Sequence, residues 1–446
     1  MKKNLFRTGI SLFFLTTAYT KLSAQLTVNG QLRTRSEFRD GQGAPLPEGA
    51  NPAIFTSQRT RLGLQFNNYR LKFNVTLQDV RVWGQDVSTI NKTTTQDNNA
   101  LILHEAWAEV LLSDTIIKNR QLKLKIGRQE LIYDDQRLIG NLDWLQQARR
   151  HDAALIKYET AKWMLHTGFA FNQNKENASG TIYNSTPPGN YTASTNGGSM
   201  HKSLEYVYAG RKLQHGNASF LFLSDQFSKF HNDSAGSKIF QQGSWSRATT
   251  GFYVNDTLNK IGITASAYYQ FGKTSTGQKL SAGLLTGFVQ YIFNKKLSIG
   301  AGVDYYTGGT SASSSNSFDP LYGTPHKFAG LMDYYYAASG FGKNGLADYY
   351  IKAKYKGSDK FWLTADVHQF SSAKKVSGYD DKSLGQEADI VASYSLTKLI
   401  AFEAGYAHYF STGLLTSPTV KNVPNARSNA NWAYLSINIK PEFLIK

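Results

Sequence analysis

The sequence predicts an all-β protein, a single transmembrane antiparallel β-barrel of about 18 strands. Two patterns carry this prediction: apolar and polar residues alternate with a period of two, and tight turns alternate with longer polar connections. Aromatic residues make up 13% of the chain and mean hydropathy is −0.39, so the chain is rich in strand-forming residues without being apolar overall. No apolar run after residue 24 approaches the length of a membrane-spanning helix.

The first 24 residues have the pattern of a secretory signal peptide. Three basic residues precede a short apolar run at 10–19, and the triplet "LSA" at 22–24 is a small-residue cleavage site. The apolar run is much shorter than the roughly 20 residues of a spanning helix, which argues against a membrane anchor. We expect a signal peptide over residues 1–24 and one outer-membrane β-barrel domain over residues 25–446.

Cysteine content and charge narrow the possible functions. The chain has 0 cysteines, which excludes disulfides, thiol catalysis and cysteine-based metal centres. The formal net charge is +17, and removal of the leader takes away four positive charges and no negative one, leaving +13. A basic exported protein meets anionic partners such as lipid head groups, acidic polysaccharide or small anions. Nucleic acid is not an expected partner outside the cytoplasm.

The alternation assigns side chains to two faces of each strand. In "GQLRTRSEFR" Arg33 and Arg35 share a polar face, and in "SQRTRLGLQF" Arg59 and Arg61 do the same. Strands of this kind have one wet face and one apolar face. They are predicted near 26–38, 57–66, 69–79, 100–111, 120–130, 151–160, 161–172, 202–210, 217–226, 243–254, 260–272, 280–293, 296–307, 346–356, 360–370, 384–395, 398–410 and 430–444.

The connections favour a barrel over a soluble β-protein. Tight turns such as "NKK" at 294–296 alternate with long polar loops such as 173–201 and 411–429, which is typical of outer-membrane barrels with periplasmic termini. A sandwich of this length would exceed the roughly 250–300 residues that one core supports, and no repeat of fixed period indicates a solenoid or propeller. The last strand, "NWAYLSINIKPEF", is amphipathic and aromatic, with Phe443 as the expected signal for the barrel-insertion machinery.

The cost of charge in hydrocarbon predicts where the arginines point. An Arg or Lys on the lipid face near the bilayer midplane costs roughly 2–4 kcal/mol, so Arg33, Arg35, Arg59 and Arg61 are expected to face the lumen. An Arg-lined lumen concentrates anions, and the planar guanidinium matches a carboxylate. The alternative is that these arginines pair with acids of the wall and only brace it.

Two arginines break the alternation. Arg128 falls on the same face as Ile126, and Arg81 on that of Leu77. Either a β-bulge turns these side chains inward or they lie beyond the hydrocarbon zone. We predict the bulge, at Gly127.

The blocks "GRQELIYDDQRLIGNLDW…ARRHDA" (127–153) and "FDPLYGTPHKFAGLMDYY" (318–335), with "QLRTRSEFR" and "LQDVRVWG", resemble alginate-export outer-membrane proteins. The resemblance implies a monomeric 18-stranded porin whose narrow, Arg-rich lumen passes an anionic polyuronate by passive diffusion. It also implies that four aspartates pair with the arginines and that "PLYGTPHKF" lies in a long extracellular loop near the passage. The implied lumen selectivity residues are Arg33, Arg35, Arg59, Arg61, Arg81, Lys125, Arg128, Asp134, Asp135, Arg137, Asp143, Arg149, Arg150, Asp152, His326 and Lys327.

Two other function classes stay open. An outer-membrane enzyme would need a nucleophile, a base and an orienting acid, but no G-x-S-x-G or H-E-x-x-H motif is present, so no enzyme activity is predicted. A passive structural barrel that binds through its loops is the other alternative. We expect no cofactor and no metal. The expected partners are an anionic saccharide or small anionic solute, outer-membrane lipid and lipopolysaccharide, and the insertion machinery.

Overall fold

The protein is a closed antiparallel β-barrel of eighteen strands. The computed structural model describes residues 25–84, 101–114, 119–176, 179–184, 194–195, 198–335 and 343–445. The predicted signal peptide lies outside the described residues. The barrel strands are β1 (Gln25–Asp40), β2 (Ala53–Asn67), β3 (Leu71–Val82), β4 (Ile102–Leu111), β5 (Arg120–Gln129), β6 (His151–Thr160), β7 (Trp163–Phe171), β8 (Ser203–Lys212), β9 (Asn217–Asn232), β10 (Lys238–Leu258), β11 (Ile261–Lys273), β12 (Lys279–Ile292), β13 (Leu297–Tyr306), β14 (Leu346–Lys356), β15 (Phe361–Ser371), β16 (Ser383–Ser395), β17 (Ile400–Ser411) and β18 (Asn429–Ile439).

The barrel closes where the first strand meets the last. Each strand pairs with its neighbours in sequence, and β1 pairs with both β2 and β18, with Arg33 opposite Asn438. The segment Glu442–Ile445 extends this closing pair to Leu26. Closure satisfies the backbone hydrogen bonds of both terminal strands, as the interior of a bilayer requires. The fold class, the strand number and the strand positions predicted from the sequence are confirmed.

The two ends of the barrel differ in their connections. We call them the turn end, which carries both chain ends and connections of two to eight residues, and the loop end. Seven of the nine loop-end connections are eleven or more residues long. Two of them, 233–237 and 274–278, are tight, so the predicted alternation of short and long connections holds with these two exceptions. Only two short helical segments interrupt the described loops: a 3-10 turn, Pro325–Lys327, and helix α1, Gly413–Thr416.

Outward and inward faces have different chemistry. The outward face is apolar, with exposed Leu62, Val289, Ile351 and Leu435 at intervals around the wall. The inward positions hold mostly polar, charged and aromatic side chains. No described helix is long and apolar enough to span a membrane.

Strands β9 and β10 continue beyond the wall as a two-stranded ribbon. Pairing of β8 with β9 stops at Gln226, and pairing of β11 with β10 starts only at Arg247. Between these limits β9 and β10 pair with each other, through an irregularity at Ser228, and no other described strand pairs with them. The sequence prediction ended β9 too early, at 226, and began β10 too late, at 243, because the ribbon lacks the apolar face of the wall.

The predicted bulge at Gly127 is wrong. Pairing is continuous through Gly127 on both sides, and its positive φ of 121° does not change the register. The irregularity lies one strand away, where His104 is the additional residue of β4 opposite the Thr76/Leu77 step of β3.

Arg81, Arg128 and Asp152 therefore face outward, contrary to the prediction that they line the lumen. Arg128 pairs with Asp152 through two contacts of 2.8 Å, and Arg81 with Asp79 through contacts of 2.7 and 2.9 Å. All four side chains lie near the loop end of their strands, beyond apolar outward residues such as Leu77. Pairing with an acid beyond the apolar zone explains how these arginines are tolerated on the outer face.

We expect Leu62→Arg, which places a charge in the middle of the outward apolar face, to lower the free energy of unfolding by about 2–4 kcal/mol. Gln65→Arg, three residues along the same strand but facing the lumen, is the matched control and is expected to have little effect. Urea unfolding of both variants in lipid vesicles measures the difference. Equal destabilisation by the two variants would contradict the assignment of faces.

Candidate permeation pathway

Two loop-end connections fold into the lumen and cross it together. We call residues 130–150 the first inner loop and residues 307–335 the second inner loop. Ile139 and Tyr322 form a parallel bridge between them, with Gly140 N–H donating to Tyr322 O at 2.9 Å. The Arg149 guanidinium donates to Gly323 O at 2.6 Å, so this predicted selectivity residue cross-links the two loops. The loops form one unit inside the barrel.

Arginines of β1 and β2 converge on one carboxylate of the first inner loop. Asp143 Oδ2 lies 3.2 Å from Arg33 Nη1, and Asp143 Oδ1 lies 2.8 Å from Arg59 Nη2 and 3.8 Å from Arg61 Nη1. The four predicted arginines face the lumen, because the strand period places them on one side. Burial alone would raise the pKa of Asp143, but Arg59, Arg33 and Arg61 hold that pKa below its ordinary value.

His104, at the bulge of β4, and the Gln146 side-chain amide also contact these arginines. The extra residue His104 brings its Nε2 within 2.9 Å of Arg61 Nη2 and 2.8 Å of Glu130 Oε1. Gln146 accepts from Arg33 Nε at 2.9 Å. Each guanidinium thus has directed partners, and the cluster carries more cations than carboxylates.

Trp144 links the arginine wall to the second inner loop. The Arg35 guanidinium carbon lies 4.0 Å from the Trp144 ring centroid, and the His326 ring is stacked on the same indole at 4.0 Å and 8°. His326 Nδ1 lies 2.8 Å from Asp333 Oδ1, while its buried Nε2 has no partner among the described residues. Arg35 also donates to Trp144 O at 2.8 Å.

The other part of the first inner loop is anchored across the barrel. Arg137, which is 6% exposed, lies 2.5 Å from Asp304 Oδ2 and 3.3 Å from Asp135 Oδ2. Burial alone would lower the pKa of Arg137, but Asp304 and the other acids raise it well above its ordinary value. Arg137 therefore serves as a fixed structural cation, not a group presented to a solute.

Among the described residues, no arginine pairs with Asp134. It accepts hydrogen bonds of 2.8 Å from Tyr208 Oη and Ser219 Oγ, on the wall formed by β8 and β9. Burial raises the pKa of Asp134 to about 6, against the smaller opposing effect of these two donors. The expectation that all four aspartates pair with arginine fails at this residue.

Buried charges on the wall hold the second inner loop. Arg247 donates to Asp225 on the neighbouring strand at 2.9 Å and to Asp319 of the loop at 2.6 Å, and Tyr322 Oη donates to Asp225 at 2.8 Å. Breaking a buried network of this kind typically costs 3–5 kcal/mol. The loop is therefore bound to β9 and β10.

A second attachment uses carboxylates of β16. Glu387 Oε1 accepts from Met332 N at 2.7 Å, and Asp389 Oδ2 accepts from Leu331 N at 3.3 Å. A side chain at Gly330 would collide with the Glu387 carboxylate, which explains the glycine at this position. The sequence reading missed these anchors, because single charged residues in amphipathic strands carry no local signal of a distant partner.

Two cavities inside the barrel are lined by residues that the structure describes. The larger, about 460 Å³, is lined by cationic, amide, hydroxyl and aromatic groups: Arg33, Arg35, Gln136, Asn141, Asp143, Trp144, Thr324, His326, Lys327, Ser393, Ala401, Phe402, Glu403, Ser436 and Asn438. The smaller, about 220 Å³, borders β10 to β15 and contains Asp135, Arg137, Asp304 and Tyr350. Lys327 lines both cavities, and its Nζ donates to Asp135 O at 3.3 Å.

The remaining predicted residues lie away from the larger cavity. Lys125 faces the lumen on β5, where its Nζ lies 3.9 Å from the Trp107 ring centroid. Arg150 is half-buried near Arg128 and Asp152, and burial, then Arg128, lowers its pKa against the effect of Asp152. No cluster of three or more potential metal ligands occurs in the described part of the chain.

The alginate export family matches residues 24–417 of the sequence. The chain belongs to the alginate export family. No curated protein sequence matches it. Solved barrels match its fold: Acinetobacter baumannii OccAB4 (TM-score 0.61, 11% identity, 94% of this chain and 98% of that one), Pseudomonas aeruginosa OpdK (0.60, 10%, 94% and 99%) and P. aeruginosa OccK5, also called OpdH (0.58, 11%, 94% and 98%).

These matches and the closed barrel identify the protein as an outer-membrane channel of a porin-like family. The sequence prediction of this family is confirmed. At identities near 10% the likeness to the solved barrels concerns the fold alone. The chemistry of the lumen is argued below from its own residues.

We expect the free energy of unfolding of the wild type to decrease as pH rises from about 4 to 6, and to decrease more steeply than that of Asp134→Asn. The folded state holds the proton of Asp134 up to a pKa of about 6, whereas an unfolded aspartate releases it near its ordinary 3.8. Native protein therefore binds more protons in this window, and stability decreases with pH. Urea unfolding at several pH values measures the slope. The same slope in the Asn variant would contradict the assignment.

Proposed function

We propose that the protein is a passive, anion-selective channel for acidic saccharides, with the larger cavity as its selectivity region. The observation that carries this proposal is the arginine-rich wall of that cavity. Arg33 and Arg35 line it from β1, and Lys327 lines it from the second inner loop. The carboxylates among its lining residues are Asp143 and Glu403, so cations outnumber them before any charge on His326 is counted.

The lining suits a sugar that bears a carboxylate. Guanidinium groups match carboxylate oxygens, amides such as Asn438 and hydroxyls such as Ser436 can bond sugar hydroxyls, and aromatic rings such as Phe402 pack against C–H faces. The exposed Asp143 carboxylate moderates the field. A site that bound a polyanion too tightly would not release it, and conduction requires weak, repeated contacts.

The proposed orientation places the turn end in the periplasm and the loop end outside the cell. Short periplasmic turns and longer extracellular loops are the rule for bacterial barrels. In this orientation the two inner loops enter the lumen from the extracellular side.

The selectivity is tested by reversal potentials across planar bilayers under a KCl gradient. Arg33→Gln with Arg35→Gln is expected to reduce the anion-to-cation permeability ratio by roughly fivefold, since a charge pair in a wet site contributes about 1 kcal/mol. Block of the current by uronate oligosaccharides should weaken in parallel, while neutral oligosaccharides should be unaffected.

Arg81→Gln with Arg128→Gln is the matched control. It removes the same charge from the outer face and is expected to leave the permeability ratio unchanged. A cation-selective wild-type channel, or equal effects of the two double variants, would refute the proposal.

The orientation has its own test, because the chain contains no cysteine. A membrane-impermeant maleimide added to intact cells should label Ser234→Cys, in an exposed loop-end turn, and spare Lys295→Cys, in an exposed turn-end connection. Labelling in the reverse pattern would invert the orientation.

A further inference from the structure

Exposed cations surround the turn end of the barrel. Each of the eight turn-end connections carries an exposed Lys or Arg within it or beside it, and so does the segment after β18. Exposed acids at this end are fewer: Asp114, Asp359 and Glu442 among the described residues. We call the cations the basic rim: Arg70, Arg120, Lys162, Arg211, Lys212, Lys260, Lys295, Lys296, Lys356, Lys360, Lys398 and Lys440.

Most charges of the basic rim are not neutralised within the protein. Among the described residues, only Lys356 of this set lies within ion-pair distance of a carboxylate, 2.7 Å from Asp359. Lys360 donates to a carbonyl oxygen at 3.3 Å, and Arg70 to another at 3.2 Å. The amines of the other lysines extend into the surroundings of the barrel, so they are available to an external anion.

Aromatic side chains accompany the rim on the outer face. Trp163 and Tyr69 are 49% and 60% exposed, and the Arg211 and Arg70 guanidinium carbons lie 5.2 and 6.0 Å from their ring centroids. Phe293 and Tyr355 are exposed at the same end. Aromatic rings beside cations are the composition expected where a protein passes from hydrocarbon into lipid head groups.

We propose that the basic rim binds the phosphate groups of anionic phospholipids, such as phosphatidylglycerol, in the periplasmic leaflet. The inference rests on the orientation proposed above. The circular distribution of charge fits an annulus of lipid, which contacts every turn, better than a protein partner, which would contact one side. The aromatic rings locate the rim at head-group depth.

The occupant is not the permeant, because the lumen at this end has its own charge balance. Lys123 and Lys157 face inward there, and they pair with Glu159 and Glu109 at 2.7 and 2.9 Å. Most of the unneutralised charge at this end is therefore on the rim, and Lys354 adds one exposed inward cation on β14. Salt screens the attraction between phosphate and clustered lysine and arginine, so we expect the lipid binding to weaken as the ionic strength rises.

The test is lipid competition. Purified protein is incubated with equal amounts of phosphatidylglycerol and phosphatidylcholine, and the retained lipids are quantified by native mass spectrometry. We expect wild type to retain severalfold more phosphatidylglycerol, and the ratio to approach one in the rim variant Lys260→Gln, Lys295→Gln, Lys296→Gln and Lys398→Gln. Raised salt should reduce the wild-type ratio in the same direction.

The matched control replaces four exposed loop-end lysines: Lys238→Gln, Lys273→Gln, Lys279→Gln and Lys382→Gln. This variant loses the same number of positive charges as the rim variant. It should nevertheless keep the wild-type ratio of phosphatidylglycerol to phosphatidylcholine, which would show that the position of the lysines matters and not the net charge alone. Heat-modified migration on gels shows that each variant is a folded barrel.

Three outcomes would overturn the inference. The rim variant could retain phosphatidylglycerol as wild type does. It could lose binding to purified peptidoglycan sacculi with its lipid ratio unchanged, which would make the cell-wall polymer the occupant. It could lose uronate block with its lipid ratio unchanged, which would assign the rim to the permeant. Failure of the channel proposal leaves the lipid ratio unaffected, so the two proposals fail separately.

Discussion

Backbone hydrogen bonding in the absence of water is the constraint on which this structure depends. A strand inside a bilayer has no solvent to satisfy its N–H and C=O groups, so the sheet must return to its own beginning. The pairing of β1 with β18 does this. Once the wall is closed, the two-residue period decides which side chains meet lipid and which meet the lumen. The positions of Arg33, Arg35, Arg59 and Arg61 follow from that period.

The lumen accommodates many charges because each is given directed partners. The first inner loop supplies Asp143 to three arginines. The second inner loop supplies Asp319 to Arg247 and the backbone N–H of Met332 to Glu387. These contacts join segments that are far apart in sequence. The loops are consequently part of the folded core, and they line the larger cavity together with residues of the wall.

The sequence predicted the barrel well because its period is local, whereas the site depends on contacts between distant segments. Alternation located all eighteen strands, and the arginine pattern identified the wall that Asp143 contacts. The two-residue period alone places Arg128 on the same outward face as Ile126. The prediction that Arg128 faces the lumen was wrong because it assumed a bulge at Gly127, where the pairing is in fact continuous. Partners such as Asp304 for Arg137, 167 residues away, leave no local pattern. Trp144 and Gln146 were missed because a loop shows no period.

The ribbon formed by β9 and β10 has a consequence of its own. Among the described residues, no strand pairs with its two outer edges beyond Gln226 and before Arg247, so these edges display backbone groups with which a foreign extended peptide could pair. Phe230 packs against Phe240 and Trp245 across the ribbon, and Lys238 lies over the Phe230 ring. Charge and local packing of this kind discourage strand addition, and they protect sheet edges that lie beyond the closed wall.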